Sequence, residues 1–92
     1  MNIDLELYKF FYAVAKNKNM TKASEELHIS QPAISQSIKK LEEQLGGTLF
    51  LRSNKGMELT EEGKMFFDYV KGALELINNA ENEFTAFKDL SK

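Results

Sequence analysis

Residues 21–46 read TKASEELHISQPAISQSIKKLEEQLG, and this stretch decides the fold. It divides into a short amphipathic helix, a three-residue turn His28-Ile29-Ser30, and a longer helix. Thr21 is the expected N-cap of the first helix, because its hydroxyl can accept from an amide that the opening turn leaves unpaired. Ala23, Leu27 and Ile29 supply the apolar side, with Lys22, Glu25 and Glu26 facing water. Ser30 is the expected cap of the second helix. Pro32 falls in its first turn, where a missing N–H costs nothing. Ile34, Ile38, Leu41 and Leu45 recur at i, i+4, i+7 and i+11, the single apolar stripe of an α-helix. Gly46 supplies the left-handed residue that closes it.

At about 100° per residue, the face away from that stripe carries Pro32, Ser35, Gln36, Lys39 and Glu43. Small and amide side chains near a helix N-terminus fit a DNA groove and hydrogen-bond base edges, while Lys39 and Lys40 follow at positions suited to phosphates. Two capped amphipathic helices are common and prove little alone. Here the turn is short and the second helix opens with uncharged polar residues. An ordinary solvated helix face carries Glu and Lys from its first turn. The combination points to a helix-turn-helix that presents its second helix to the DNA major groove.

The flanks support that element. Asp4 is the expected cap of a preceding helix, with Leu7, Phe10, Phe11 and Val14 as its buried stripe at i, i+3, i+4 and i+7. Those aromatics read as core, not as a ligand box. Asn17-Lys18-Asn19 is a polar break. After Gly46-Gly47 the period changes: Leu49-Phe50-Leu51-Arg52 and Met57-Glu58-Leu59 read as short strands around the turn residues Ser53-Asn54-Lys55-Gly56. A β-hairpin after a helix-turn-helix is a wing, which puts Arg52 and Lys55 near the DNA backbone or minor groove. The bland alternative is that both are solvated hairpin charges.

From Thr60 onward the pattern predicts one long helix, capped by Thr60, with Glu61 and Glu62 at the positive end of its dipole. Phe66, Val70, Ala73, Ile77, Ala80, Phe84 and Phe87 are spaced 4-3-4-3-4-3, and Tyr69, Leu74 and Leu76 widen the seam. At 1.5 Å per residue such a helix spans roughly 30 Å, longer than the small core before it can cover. The seam therefore calls for a partner helix, most simply that of a second copy; the competing reading packs it wholly on its own domain. The expected fold is mainly α: a winged helix-turn-helix (three-helix core plus β-hairpin wing) over residues 1–59, then a linker and dimerisation helix over residues 60–92.

Composition sets the outer limits. A chain of 92 residues suits one small domain, and 42% hydrophobic with 28% charged residues is ordinary globular composition. It has no cysteine, so disulfides and thiolate chemistry are excluded, in keeping with a cytoplasmic location. MNIDLELYKFF at the start lacks the basic and apolar regions of a signal peptide, and no apolar run reaches membrane-spanning length. The net charge of −2 is unevenly spread. Residues 16–55 carry seven basic side chains (Lys16, Lys18, Lys22, Lys39, Lys40, Arg52, Lys55) against four acidic ones (Glu25, Glu26, Glu42, Glu43), a local charge of +3. The acidity lies in the last third. A local excess of +3 is a weak electrostatic footprint, which predicts weak affinity from one copy.

Catalysis has little to build on. The single histidine, His28, lies in the tight turn with no acidic partner at short spacing. There is no cluster at metal-ligand spacing and no glycine-rich phosphate loop, so no catalytic residue, metal or cofactor is expected. A helical interaction module whose seam is its whole function remains the rival reading; salt-dependent DNA binding separates the two.

The chain resembles the LysR-type transcriptional regulators of bacteria. The resemblance rests on Phe11-Tyr12-Ala13-Val14-Ala15, Met20-Thr21-Lys22-Ala23-Ser24-Glu25-Glu26-Leu27, Ser30-Gln31-Pro32-Ala33-Ile34-Ser35, Leu41-Glu42-Glu43-Gln44-Leu45-Gly46, Leu49-Phe50-Leu51-Arg52 and Leu59-Thr60-Glu61-Glu62-Gly63, in the family's order and spacing. It implies a winged helix-turn-helix whose third helix reads double-stranded DNA, and a linker helix that pairs antiparallel with its mate in a homodimer. Gln31, Pro32 and Ser35 match the family's groove-facing positions, Thr21 and Lys22 those near the phosphates, and Arg52 and Lys55 the wing. Two positions depart: Gln36 stands where the family often has Arg, and Ser37 where it often has Gln. An amide at 36 prefers adenine where Arg would grip guanine. Family members usually continue for about two hundred residues as an effector-sensing domain, so the chain is expected to be the N-terminal DNA-binding part of a longer regulator. Higher oligomers would then need that further domain.

Overall fold

The computed structural model describes residues 2–90. Four helices and one hairpin follow in order: α1 (Leu5–Asn17), α2 (Met20–Leu27), α3 (Gln31–Leu45), β1 (Phe50–Ser53), β2 (Gly56–Leu59) and α4 (Glu61–Leu90). Each boundary has a local cause. The Asp4 carboxylate accepts from the Glu6 N–H at 3.0 Å and starts α1. Ser30 Oγ accepts from Ala33 N–H at 3.3 Å and starts α3, with Pro32 in the first turn. Gly46, at φ +79°, ends α3 by donating its N–H to the Glu42 carbonyl at 2.8 Å.

The second helix begins earlier than the sequence reading placed it. Its cap is Asn19, not Thr21: the Asn19 amide oxygen accepts from Lys22 N–H at 2.9 Å, and Thr21 lies inside the first turn. Two causes agree. Asn outranks Thr as a cap, and Met20 must already be helical to put its buried side chain into the core. Thr21 contributes its carbonyl instead, which accepts from Ser24 Oγ at 2.7 Å.

The hairpin is antiparallel with Phe50 opposite Leu59 and Ser53 opposite Gly56, so its turn shrinks to Asn54-Lys55. Leu49 precedes the ladder, with its N–H held by Glu42 Oε2 at 2.7 Å and its carbonyl accepting from Thr60 N–H at 3.0 Å. The other side of the wing is tied to the α1–α2 junction, where Met57 N–H donates to the Lys18 carbonyl at 3.2 Å. Gly56, at φ +110°, fits there because a Cβ would come within 2.6 Å of that same carbonyl oxygen. Thr60 joins wing and α4. Its hydroxyl accepts from Gly63 N–H at 2.9 Å and donates to the Thr48 carbonyl at 2.8 Å.

Phe11, Val14, Ile34 and Leu41 are the largest fully buried side chains, contributed by α1 and α3. The Phe11 ring meets Phe50 of the wing at 5.5 Å and Phe66 of α4 at 5.4 Å between centroids, so three elements close on one residue. Phe10 departs from the expected stripe: it is half-buried and stands outside the core cluster, where Ala13 and Ala15 are buried instead. Small residues there let the neighbouring elements approach α1 closely. Past Leu74, every α4 residue up to Asp89 is exposed, and the helix draws the molecule out to 53 × 28 × 21 Å.

Candidate nucleic-acid interface

The inward stripe of α3 fixes which of its side chains face out. Ile34, Ile38 and Leu41 are buried against α1 and α2, so the opposite face is turned to solvent. Gln31, Pro32, Gln36, Lys39 and Lys40 are exposed there, and Ser35 is half-buried. Thr21 and Lys22 on α2, Ser30 at the cap, and Arg52 and Lys55 on the wing are also exposed. Among the described residues the Gln36 side chain has no hydrogen-bond partner, which leaves both its donor and its acceptor for a ligand. Ser37 is committed elsewhere, donating to the Ala33 carbonyl at 2.9 Å.

Three elements meet at one open cleft of about 250 Å³. Thr21 and Asn19 come from the start of α2, Gln31 from the start of α3, and Arg52 and Ser53 from the wing. Gln31 Nε2 donates to Met20 Sδ at 3.4 Å, which anchors the first side chain of α3. Arg52 Nη2 donates to Ser35 Oγ at 3.3 Å, from wing to helix. The ion pairs among the described residues are Lys9–Glu6, Lys16–Glu26 and Lys64–Glu61. None of Lys22, Lys39, Lys40, Arg52 or Lys55 is neutralised by a carboxylate partner in these pairs.

Of the five basic residues only Arg52 lines this cleft, and two of the others border hollows elsewhere. Lys55 at the wing tip borders a separate hollow with Lys18 and Lys64, beside Glu58. Lys39 shares a shallow groove with Glu42 and Glu43 near the end of α3. Sequence reasoning did not single out Asn19, Lys18 or Lys64 at these surfaces. Asn19 was legible as the stronger cap. The lysine grouping was not, because it forms across the hairpin.

The α4 seam divides. Phe66, Val70 and Leu74 pack on the chain's own core, with Phe66 against Tyr8 and Phe11. Tyr69, Ala73, Ile77, Ala80, Phe84 and Phe87 are exposed, with Tyr69, Phe84 and Phe87 at 73–75%. An apolar groove of about 290 Å³ runs beside them between α1 and α4, lined by Leu5, Tyr8, Tyr69 and Ala73 among others.

A model of the bacterial regulatory helix-turn-helix proteins of the LysR family matches residues 5–64. The chain belongs to that LysR family. Over all 92 residues it is 36% identical to the RuBisCO operon transcriptional regulator of Allochromatium vinosum, spanning 30% of that protein. Over 66 residues, 72% of this chain, it is 46% identical to the HTH-type transcriptional regulator BudR of Klebsiella aerogenes, spanning 46% of it. The chain thus covers less than half the length of these curated relatives.

Solved structures agree on the fold. The crystal structure of the CbnR_DBD–DNA complex matches with a TM-score of 0.80 and 37% identity, over 91% of this chain and 97% of that one. The BenM_DBD/benA site 1 DNA complex matches with a TM-score of 0.79 and 31% identity, over 98% of both chains. The architecture is therefore the winged helix of LysR regulators, with its long C-terminal helix. Among the described residues no group of three or more His, Cys, Asp or Glu is placed to hold a metal, and no described helix is long and apolar enough to cross a membrane.

Proposed function

We propose that this chain is the DNA-reading part of a bacterial, cytoplasmic LysR-type transcriptional regulator, and that it binds double-stranded DNA as a homodimer. The observation that carries the reading is the cleft at which Thr21, Gln31 and Arg52 converge from three elements beside the exposed polar face of α3. A helix of this width enters the major groove with its N-terminal side chains toward base edges. Gln31, Pro32, Ser35 and Gln36 then face bases. Thr21, Lys22, Ser30, Lys39, Lys40 and Lys55 face the backbone, and Arg52 lies between the two groups. The CbnR_DBD and BenM_DBD structures that share this fold are themselves DNA complexes, which supports DNA as the partner.

The dimer reading rests on α4. An exposed stripe of Tyr69, Leu76, Ile77, Phe84 and Phe87 is larger than the scattered apolar residues of a typical soluble surface. A second copy's helix laid antiparallel covers it and places two reading helices about a two-fold axis. On this reading residues 1–59 are the reading unit and residues 60–92 the dimerising part, with Met1, Ser91 and Lys92 outside the described residues; the base of α4 through Leu74 also closes the core of the reading unit.

The test is a titration of a randomised duplex pool at several salt concentrations, with sedimentation of the free protein at tens of micromolar. Binding should weaken linearly on logarithmic axes, by about 0.9 units of slope per phosphate neutralised. Salt-independent or absent binding by a well-folded dimer overturns the DNA reading and leaves the interaction module.

A further inference from the structure

Arg52 belongs to the wing, yet its guanidinium points at the recognition helix. On β1 it shares a face with Phe50, two residues away, whose ring is buried against Phe11. The pleat therefore aims Arg52 along the core side of the hairpin and over the start of α3, where Nη2 reaches Ser35 Oγ. Arg52 has no part in the ion pairs of the described residues. Its remaining N–H groups stay open, bordering the cleft with Gln31 and Thr21.

Ser35 differs from its neighbours in what its hydroxyl does. Ser24 and Ser37 donate back to helix carbonyls, at 2.7 and 2.9 Å. Among the described residues the Ser35 hydroxyl makes no such bond; it only accepts, from a cation. Its hydrogen is thus left for something outside the protein.

We propose that Arg52 and Ser35 form a single base-reading unit on the major-groove side, selective for a base edge that accepts hydrogen bonds. The inference rests on α3 being the groove helix. Its chemistry follows from the polarity of the pair. Arg can donate but never accept, so one lone pair of Ser35 is occupied and the adjacent positive charge polarises the remaining O–H outward. An amino group of cytosine brought there would meet a cation that opposes its own partial positive charge, with only the second lone pair of Ser35 left to accept. Guanine N7 and O6 or thymine O4 meet donors. The unit therefore prefers guanine or thymine at the facing position and rejects cytosine. Arg52 acts partly through Ser35 and is in that respect a positioning residue, unlike a wing arginine that only grips phosphate.

The experiment selects sites from a randomised duplex pool with the wild-type chain, Ser35→Ala, Arg52→Ala and the double variant, then measures affinities on the wild-type best duplex. Guanine or thymine is expected at one position per half-site, with each single variant relaxing that same position by roughly tenfold. The double variant should lose no more selectivity than either single, because the two side chains work as one group. Three outcomes overturn the unit: cytosine at the position that Ser35→Ala relaxes, equal loss at every position for Arg52→Ala, or relaxation at separate positions with additive losses. If the wild-type chain itself recovers no motif, the groove-reading proposal falls as well. Both positions lie on the surface, and thermal melting checks that each variant folds.

Discussion

Two faces of this molecule are left bare, and they differ in chemistry. The outer face of α3 is polar, with amide and hydroxyl groups first and lysines after. The outer face of distal α4 is aromatic and aliphatic. Both helices hold on to the same core, α3 through Ile34, Ile38 and Leu41, α4 through Phe66, Val70 and Leu74. The difference shows what each face lacks. Polar groups on α3 are already solvated and gain only from a partner with matching donors and acceptors, whereas the stripe on α4 gains from any surface that removes it from water. A face of the first kind discriminates among ligands; one of the second kind holds a partner.

Changes on the two faces should therefore separate assembly from reading. The largest effect is expected from Ile77→Asp combined with Phe84→Asp, which puts two charges into the exposed stripe. Sedimentation should show a monomer that still melts cooperatively, since neither residue belongs to the core cluster, but at a lower temperature than the dimer because association no longer favours the folded state. Site selection by that monomer should recover half-sites without two-fold pairing. A wild-type chain that is monomeric at tens of micromolar breaks the comparison at α4.

Lys39→Ala and Lys55→Ala sharpen it at the other end. Each should weaken binding to all sequences alike and flatten the salt dependence by about one unit of slope, with no change in sedimentation. Unchanged slopes in both would put the phosphate-facing surface elsewhere. Lys39 is the stricter case, since the loss must appear there although Glu42 and Glu43 share its groove.

A smaller effect tests how α2 is held beneath the reading face. Asn19→Ala should cost about 1 kcal/mol of unfolding free energy as a lost cap, and Thr21→Ala much less. Denaturant midpoints measure both. The reverse order would restore Thr21 as the cap.

Much of this was legible in the sequence because it is local. Asp4, Ser30, Gly46 and Thr60 sit where caps are needed, and the stripe through Ile34 and Leu45 has one reading as a helix. The hairpin was legible to within a residue; the hold of Glu42 on the Leu49 amide where β1 begins is a contact seven residues away that no periodicity encodes. The α4 seam was legible as apolar, but heptad spacing does not say whether Phe66 faces its own core or a partner. That depends on Tyr8 and Phe11 of α1, brought beside it only by folding. Arg52 is the same case: its partner Ser35 lies 17 residues away on another element. Reading by pattern finds faces, and tertiary structure assigns their partners.

The most direct test of the account is at Gln36, whose side chain is exposed on α3 with no hydrogen-bond partner among the described residues. Its amide offers a donor and an acceptor that match the N6 and N7 edge of adenine. Site selection from a randomised duplex pool should be run with the wild-type chain, Gln36→Ala and Gln36→Arg. Gln36→Ala should cost on the order of 1–3 kcal/mol on the best site and relax one position per half-site, leaving non-specific affinity nearly unchanged. Gln36→Arg should shift that position from adenine toward guanine and raise non-specific affinity through its added charge. Identical motifs from all three proteins would contradict the account, since an exposed amide of the proposed reading face would then touch no base.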